Sequence, residues 1–133
     1  MSQENIETVR RLHELFNRRD VEGFLDLVHP DFEWIPLWAK LQGTVYRGHD
    51  ELARAFEELD SDWLEFRADP HEFRDLDDVV LACGSWHGQA RTSRLVVEGQ
   101  PGAWVTLFRD GRAVRMETFS NRDDALEAVG LSE

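Results

Sequence analysis

Three kinds of side chain in this sequence could do chemistry: one acid set among apolar neighbours, a scatter of histidines, and an unusual load of indole rings. The acid is Glu117, in the run 113–119, AVRMETF. A carboxylate in a dry pocket has its pKa raised, which brings proton transfer near neutral pH within its reach. On an alternating strand Glu117 shares a face with Arg115 and Phe119, while Val114, Met116 and Thr118 share the other. Both faces carry apolar residues, so either can be the core side. Turned inward, Glu117 is a general acid or base. Turned outward, it is an ion-pair partner for Arg115 on a solvated or dimer-facing surface.

His87 follows Trp86 at the end of the run 79–87, and imidazole is the side chain best suited to proton exchange near pH 7. With Gly88-Gln89 after it, His87 reads more simply as an exposed strand end. His13, beside Leu12, can be core, cavity wall or surface. The five histidines show no H-x-H or H-E-x-x-H spacing, so no metal site is expected. Cys83, the single cysteine, sits among apolar residues and reads as a small buried side chain, with no intramolecular disulfide available to it. There is no G-x-G-x-x-G, P-loop or G-x-S-x-G pattern, and no cofactor is expected.

Five Trp and eight Phe against one Tyr either fill a thick core or line an apolar cavity. Trp34 reads as packing. Trp38 lies in the connection 37–47, which is apolar for a loop, and Tyr46 could donate one hydrogen bond. Trp86 and Trp104 are further wall candidates.

These groups must be positioned by elements legible in the pattern. Residues 5–19 place Ile6, Val9, Leu12, Leu15 and Phe16 at helical spacing, and Asp20 can cap a second, shorter helix. His29-Pro30-Asp31 stops that helix, and residues 32–36 predict a short strand. Residues 37–47 read as a loop, and a further helix starts at Gly48-His49-Asp50. Strands are predicted at 64–73, interrupted by Pro70, and at 79–87, with Val79, Leu81 and Cys83 on one face and Val80, Ala82 and Trp86 on the other. Another is predicted at 94–98. Residues 102–131 then form a hairpin and a helix. Asp110-Gly111 between alternating runs signals a type I′ turn, Asn121 offers an N-cap, and Gly130 suits a left-handed C′ position. Helices in front and strands behind predict one α+β domain over residues 1–133, with helices on one face of a mostly antiparallel sheet.

The formal charge of −12, from 27 acids and 15 bases, argues against nucleic acid and against an anionic membrane surface. With no apolar leader in MSQENIETVRR and no long apolar run, the expected location is the cytoplasm.

Three stretches, VRRLHELFNRRDVEGFLDLVHPDFEW, YRGHDELARAF and RDGRAVRMETFSNRDDALEAVGL, together resemble the SnoaL-like family of the nuclear transport factor 2-like fold. The resemblance spans nearly the whole chain and implies a strongly curved, mostly antiparallel sheet packed on the N-terminal helices as a cone around an apolar pocket. It implies a cofactor-independent cyclase, isomerase or hydrolase acting on a small hydrophobic molecule, or a protein that only binds one, and commonly a homodimer through the outer sheet face. An epoxide hydrolase-like match would make Glu117 the acid/base, two residues before the aromatic Phe119, with His87 at the strand end that carries partners in several relatives. Trp38, Tyr46, Trp86, Trp104, Phe119 and Arg115 would shape the pocket. Other family carboxylates are missing: Ile35-Pro36 stands where ketosteroid isomerases place Asp-Pro, and Trp86 and Gly84 lie where the epoxide hydrolases place an Asp–Arg pair. Neither mechanism therefore transfers intact.

Overall fold

The computed structural model describes residues 2–130; Leu131, the last residue of the hairpin–helix stretch, lies outside them. Helix α1 (Ser2–Asn17) turns its Val9, Leu12 and Phe16 stripe inward, as its periodicity predicts. The Asp20 carboxylate accepts from Gly23 N at 3.0 Å and caps α2 (Val21–Leu27). Strand β1 (Val28–Ile35) follows directly. It begins four residues before the predicted start at Phe32, because Val28 pairs with Ala113 across the sheet.

The predicted loop at 37–47 contains a short helix, α3 (Leu37–Gln42), and a two-residue strand, β2 (Tyr46–Arg47), paired with β1. Pro36 stands at the N-cap of α3, and Gly43, at φ +72°, closes it in the left-handed region that glycine enters without steric cost. Helix α4 (Gly48–Asp62) buries Leu52, Ala55, Phe56 and Leu59. Strands β3 (Trp63–Asp75), β4 (Val79–Ala90), β5 (Val96–Arg109) and β6 (Arg112–Phe119) complete the sheet. β5 merges two segments that the sequence presents as separate, since 100–102 continue the ladder opposite 84–86. Asp110 and Gly111 both take positive φ in the β5–β6 turn, as expected. Asn121 Oδ1 accepts from Asp124 N and caps α5 (Arg122–Ala128).

The six strands lie in the order β2-β1-β6-β5-β4-β3, with β1 parallel to β6 and every other neighbouring pair antiparallel. Register shifts in β1, β3, β4–β5 and β5–β6 act as bulges, which bend strands and raise the local twist. The sheet consequently curls around α1, α2 and α4. One bulge sits at Pro70, which has no N–H for the ladder and faces Gly84.

The inner face and the helices form the main core, which includes Phe24, Phe32, Trp34, Phe56, Val80 and Met116. On the outer face α5 covers a smaller cluster of Leu81, Cys83, Ala103 and Val105. The face assignments made for β4 hold: Val80, Ala82 and Trp86 turn inward, and Val79, Leu81 and Cys83 turn outward.

Candidate functional site

Between α1 and the concave face of the sheet lies one aromatic-lined crevice. Helix α1 contributes Leu12, His13 and Phe16, and α2 contributes Phe24. Trp34 and Pro36 come from β1 and its end, Leu37 and Trp38 from α3. Phe66, Ala68, Trp86, Trp104, Met116 and Thr118 come from four adjacent strands. The crevice amounts to about 500 Å³ with its mouth included, of which about 40 Å³ admits the centre of a water molecule. Leu37, Trp38 and Trp86 are half-buried at its rim, whereas the other rings are enclosed. Apolar cavities that take up benzene measure about 150 Å³. An aromatic guest therefore needs rim side chains to shift, and Trp38 and Trp86 are the rings with room to do so.

The rings pack edge to face around the space. Trp34 and Trp38 stand 5.7 Å apart at 80°, and Phe66 stacks on Trp86 at 5.2 Å. Asn17 fixes β3 against α1: its Nδ2 donates to Ala68 O at 2.7 Å, and Ala68 N–H donates to its Oδ1 at 2.9 Å. This pair of hydrogen bonds from one side-chain amide to the Ala68 backbone holds Ala68 in the wall.

His13 is the single titratable side chain in the lining. It is fully enclosed, and burial lowers its pKa from 6.5 to about 4, against a smaller opposing effect of the Val9 carbonyl. Its Nδ1 lies 3.0 Å from Val9 O. A carbonyl can only accept, so Nδ1 carries the proton and the ring is neutral near pH 7. Trp104 meets the ring edge-on at 5.0 Å and 79°. From the sequence, His13 can equally be core, cavity wall or surface. A histidine on the apolar face of an amphipathic helix was the signal available.

The pocket orientation expected for Glu117 is corrected. Trp104 and Thr106 of β5 pair with Thr118 and Met116, and Trp34 of β1 pairs with Met116, so this alternating set occupies the inner face. Glu117, opposite Val105 and Ile35, is left on the outer face. There its Oε2 lies 3.0 Å from Lys40 Nζ, and Arg115 reaches its Oε1 at 3.5 Å. Arg115 also binds Glu33 Oε1 at 2.6 Å, and Arg47 binds the other Glu33 oxygen. Burial pushes the Glu33 carboxyl up, but the hydrogen bonds and charges of Arg47 and Arg115 outweigh this and hold it below its ordinary value.

Lys40 is the hinge of this cluster. Besides Glu117, its Nζ donates to Thr118 O at 3.0 Å and sits 3.5 Å from the centre of the Phe119 ring. Since Lys40 belongs to α3, Glu117 and Phe119 tether from outside the helix that carries Leu37 and Trp38. Arg115 and Phe119, expected as pocket residues, are on the outer face for the same reason as Glu117.

His87 also lies outside the crevice. Its Nδ1 accepts from Gly99 N at 3.1 Å, and its Nε2 lies 3.3 Å from Asp69 Oδ2. Tyr46, on β2, is buried, and its hydroxyl donates to the Glu58 carboxylate of α4. Burial first, then Glu58, push the phenol pKa up; the Trp38 indole N–H lies close enough to oppose them without completing a hydrogen bond of ordinary geometry. Of the expected pocket residues, Trp38, Trp86 and Trp104 line the crevice. Among the described residues no three His, Cys, Asp or Glu side chains are grouped to hold a metal ion. No helix among them is long and apolar enough to cross a membrane.

Residues 9–116 match the family model described as SnoaL-like domain. No curated protein matches this sequence. Among solved structures, an NTF2-like protein of unknown function from Burkholderia pseudomallei is 26% identical with a TM-score of 0.78, covering 96% of this chain and 98% of its own. TerC, co-crystallised with polyporic acid, is also 26% identical, with a TM-score of 0.76 over 94% of this chain and 96% of its own. An NTF2-like protein from Burkholderia xenovorans is 25% identical, with a TM-score of 0.69 over 90% of both chains. The fold is thus α+β and NTF2-like, as the resemblance implied.

Proposed function

Because this chain belongs to the SnoaL-like domain family, we propose that its cone holds a small, largely apolar, aromatic molecule. The observation that carries this reading is the crevice itself, walled by Trp34, Trp38, Trp86 and Trp104 around one neutral imidazole. Ring-lined concavities with few polar groups favour flat apolar guests, whose burial supplies most of the affinity. The narrow lining carries no cation to meet an acid such as the polyporic acid of the TerC co-crystal, so the natural first probe is a single neutral ring, toluene.

Titration with toluene should change the tryptophan emission of this protein saturably. Ala68→Leu adds methylenes to the wall; overpacking of this kind costs a bound guest roughly 1–3 kcal/mol, so affinity should fall about tenfold or more. Circular dichroism would establish that the variant is folded. A protein whose emission and melting temperature ignore toluene and a panel of small neutral aromatic compounds does not use its crevice in this way.

Catalysis is the second reading, and His13 is the observation that favours it. Cyclase or isomerase chemistry needs a proton carrier inside the pocket, and a neutral imidazole can accept a proton there. The carboxylate acid/base expected from the sequence is not part of this proposal, because Glu117 faces away from the crevice. Glu117→Gln removes one partner of a half-exposed ion cluster, worth at most about 1 kcal/mol. Affinity for the same probe should therefore change less than about fivefold. A loss of a hundredfold or more would return Glu117 to the site.

A further inference from the structure

The geometry of His13 specifies what the guest must bring. Its Nδ1–H is committed to Val9 O within the same helix, at 3.0 Å. The other ring nitrogen, Nε2, therefore carries a bare lone pair. Nε2 is buried and meets no protein donor, although the side chain lines the crevice. Flipping the ring would exchange the Val9 hydrogen bond for a C–H contact, and the Trp104 edge contact holds the present orientation. A buried acceptor without a partner is costly, and most buried polar groups in native proteins have one.

Resting on the pocket reading above, we propose that the molecule bound in this crevice is uncharged and supplies one hydrogen-bond donor, a hydroxyl or N–H, to Nε2 of His13. The rest of the lining supports this class. No carboxylate lies among the lining residues to balance a cation, and no Lys or Arg to balance an anion. A guest offering only acceptors would set two lone pairs against each other at Nε2. Ring contacts to Trp104 and Trp38 would hold the apolar body, and the donor would fix its orientation.

The test compares phenol with toluene, which differ by a hydroxyl in place of a methyl, and with benzoate, an anion of similar size. Binding is followed by chemical-shift titration of the protein at pH 7, in the wild type and in His13→Leu. Wild-type protein should bind phenol at least as well as toluene and leave benzoate unbound. In His13→Leu the phenol-to-toluene affinity ratio should fall about tenfold, the upper range for one hydrogen bond. In wild-type protein the imidazole ¹⁵N spectrum adds a readout that needs no variant. Nε2 should appear unprotonated and shift with phenol but not with toluene.

A ratio that is equal in the two proteins, with an Nε2 resonance that ignores phenol, overturns the proposal while leaving the pocket reading intact. Tighter binding of benzoate than of phenol also overturns it. If neither toluene nor phenol perturbs resonances of the lining residues, the pocket reading falls and this proposal falls with it.

Discussion

Gly84→Ala should destabilise the protein by about 3 kcal/mol or more, the upper end for overpacking, or prevent recovery of folded protein altogether. A Cβ at this position would lie 2.1 Å from Asp69 O, 2.7 Å from Pro70 Cα and 2.9 Å from Asp69 C. All three are backbone atoms of the neighbouring strand, so no rotamer change relieves the overlap. Relief requires β3 and β4 to separate where the Pro70 bulge already interrupts their ladder. The damage would reach the crevice, because the next inward position along β4 is Trp86, in register with Ala68. Gly102→Ala is the matched control. Its Cβ would meet the Trp104 ring at 3.2 Å and the Trp86 ring at 3.4 Å, which can yield by small rotations. Urea midpoints of the two variants decide the matter: a Gly84→Ala cost below about 1 kcal/mol would mean that the strands separate freely here.

Acid should expose His13 as a second large effect. The imidazole takes up a proton near pH 6.5 in the unfolded chain but only near pH 4 when buried. With a folded pKa below the unfolded one, stability is full above about pH 6.5 and declines as pH falls toward 4, since the unfolded state binds the proton first. The fall from 6.5 to about 4 corresponds to about 3 kcal/mol for this fully buried group. His13→Leu removes the titration and keeps an apolar side chain in the wall. The stability advantage of this variant over wild type should therefore grow by about 3 kcal/mol between pH 7 and pH 4 in urea unfolding. Glu33, whose carboxyl is held below its ordinary value, also loses stabilisation as pH falls through its titration range. It does so in both proteins and cancels in the difference. Parallel pH profiles for wild type and His13→Leu would mean that the ring is hydrated in the folded state.

Both predictions rest on contacts between residues far apart in the sequence, and the same division separates what was legible in the chain from what was not. Local chemistry was sufficient for the Asp110-Gly111 turn, the caps at Asp20 and Asn121, and the alternation that turns Val80, Ala82 and Trp86 inward. Each depends on side-chain and backbone preferences within a few residues. The three motif stretches, spread over most of the chain, were sufficient for the NTF2-like fold.

Periodicity alone left the face of Glu117 open, because both faces of β6 carry apolar side chains. The decision lay with Trp34, Trp104 and Thr106 on the flanking strands, whose register puts Met116 and Thr118 inside. The short α3 was hidden for a related reason. Six residues are too few to display a period, and α3 is held by Pro36, Gly43 and the tether from Lys40 to β6. His13 followed the same rule: helical spacing beside Leu12 left core, cavity wall and surface all open to it. Only the curl of the sheet, which brings Trp104 against that helix, decided that His13 lines the crevice with its Nε2 buried and unpartnered.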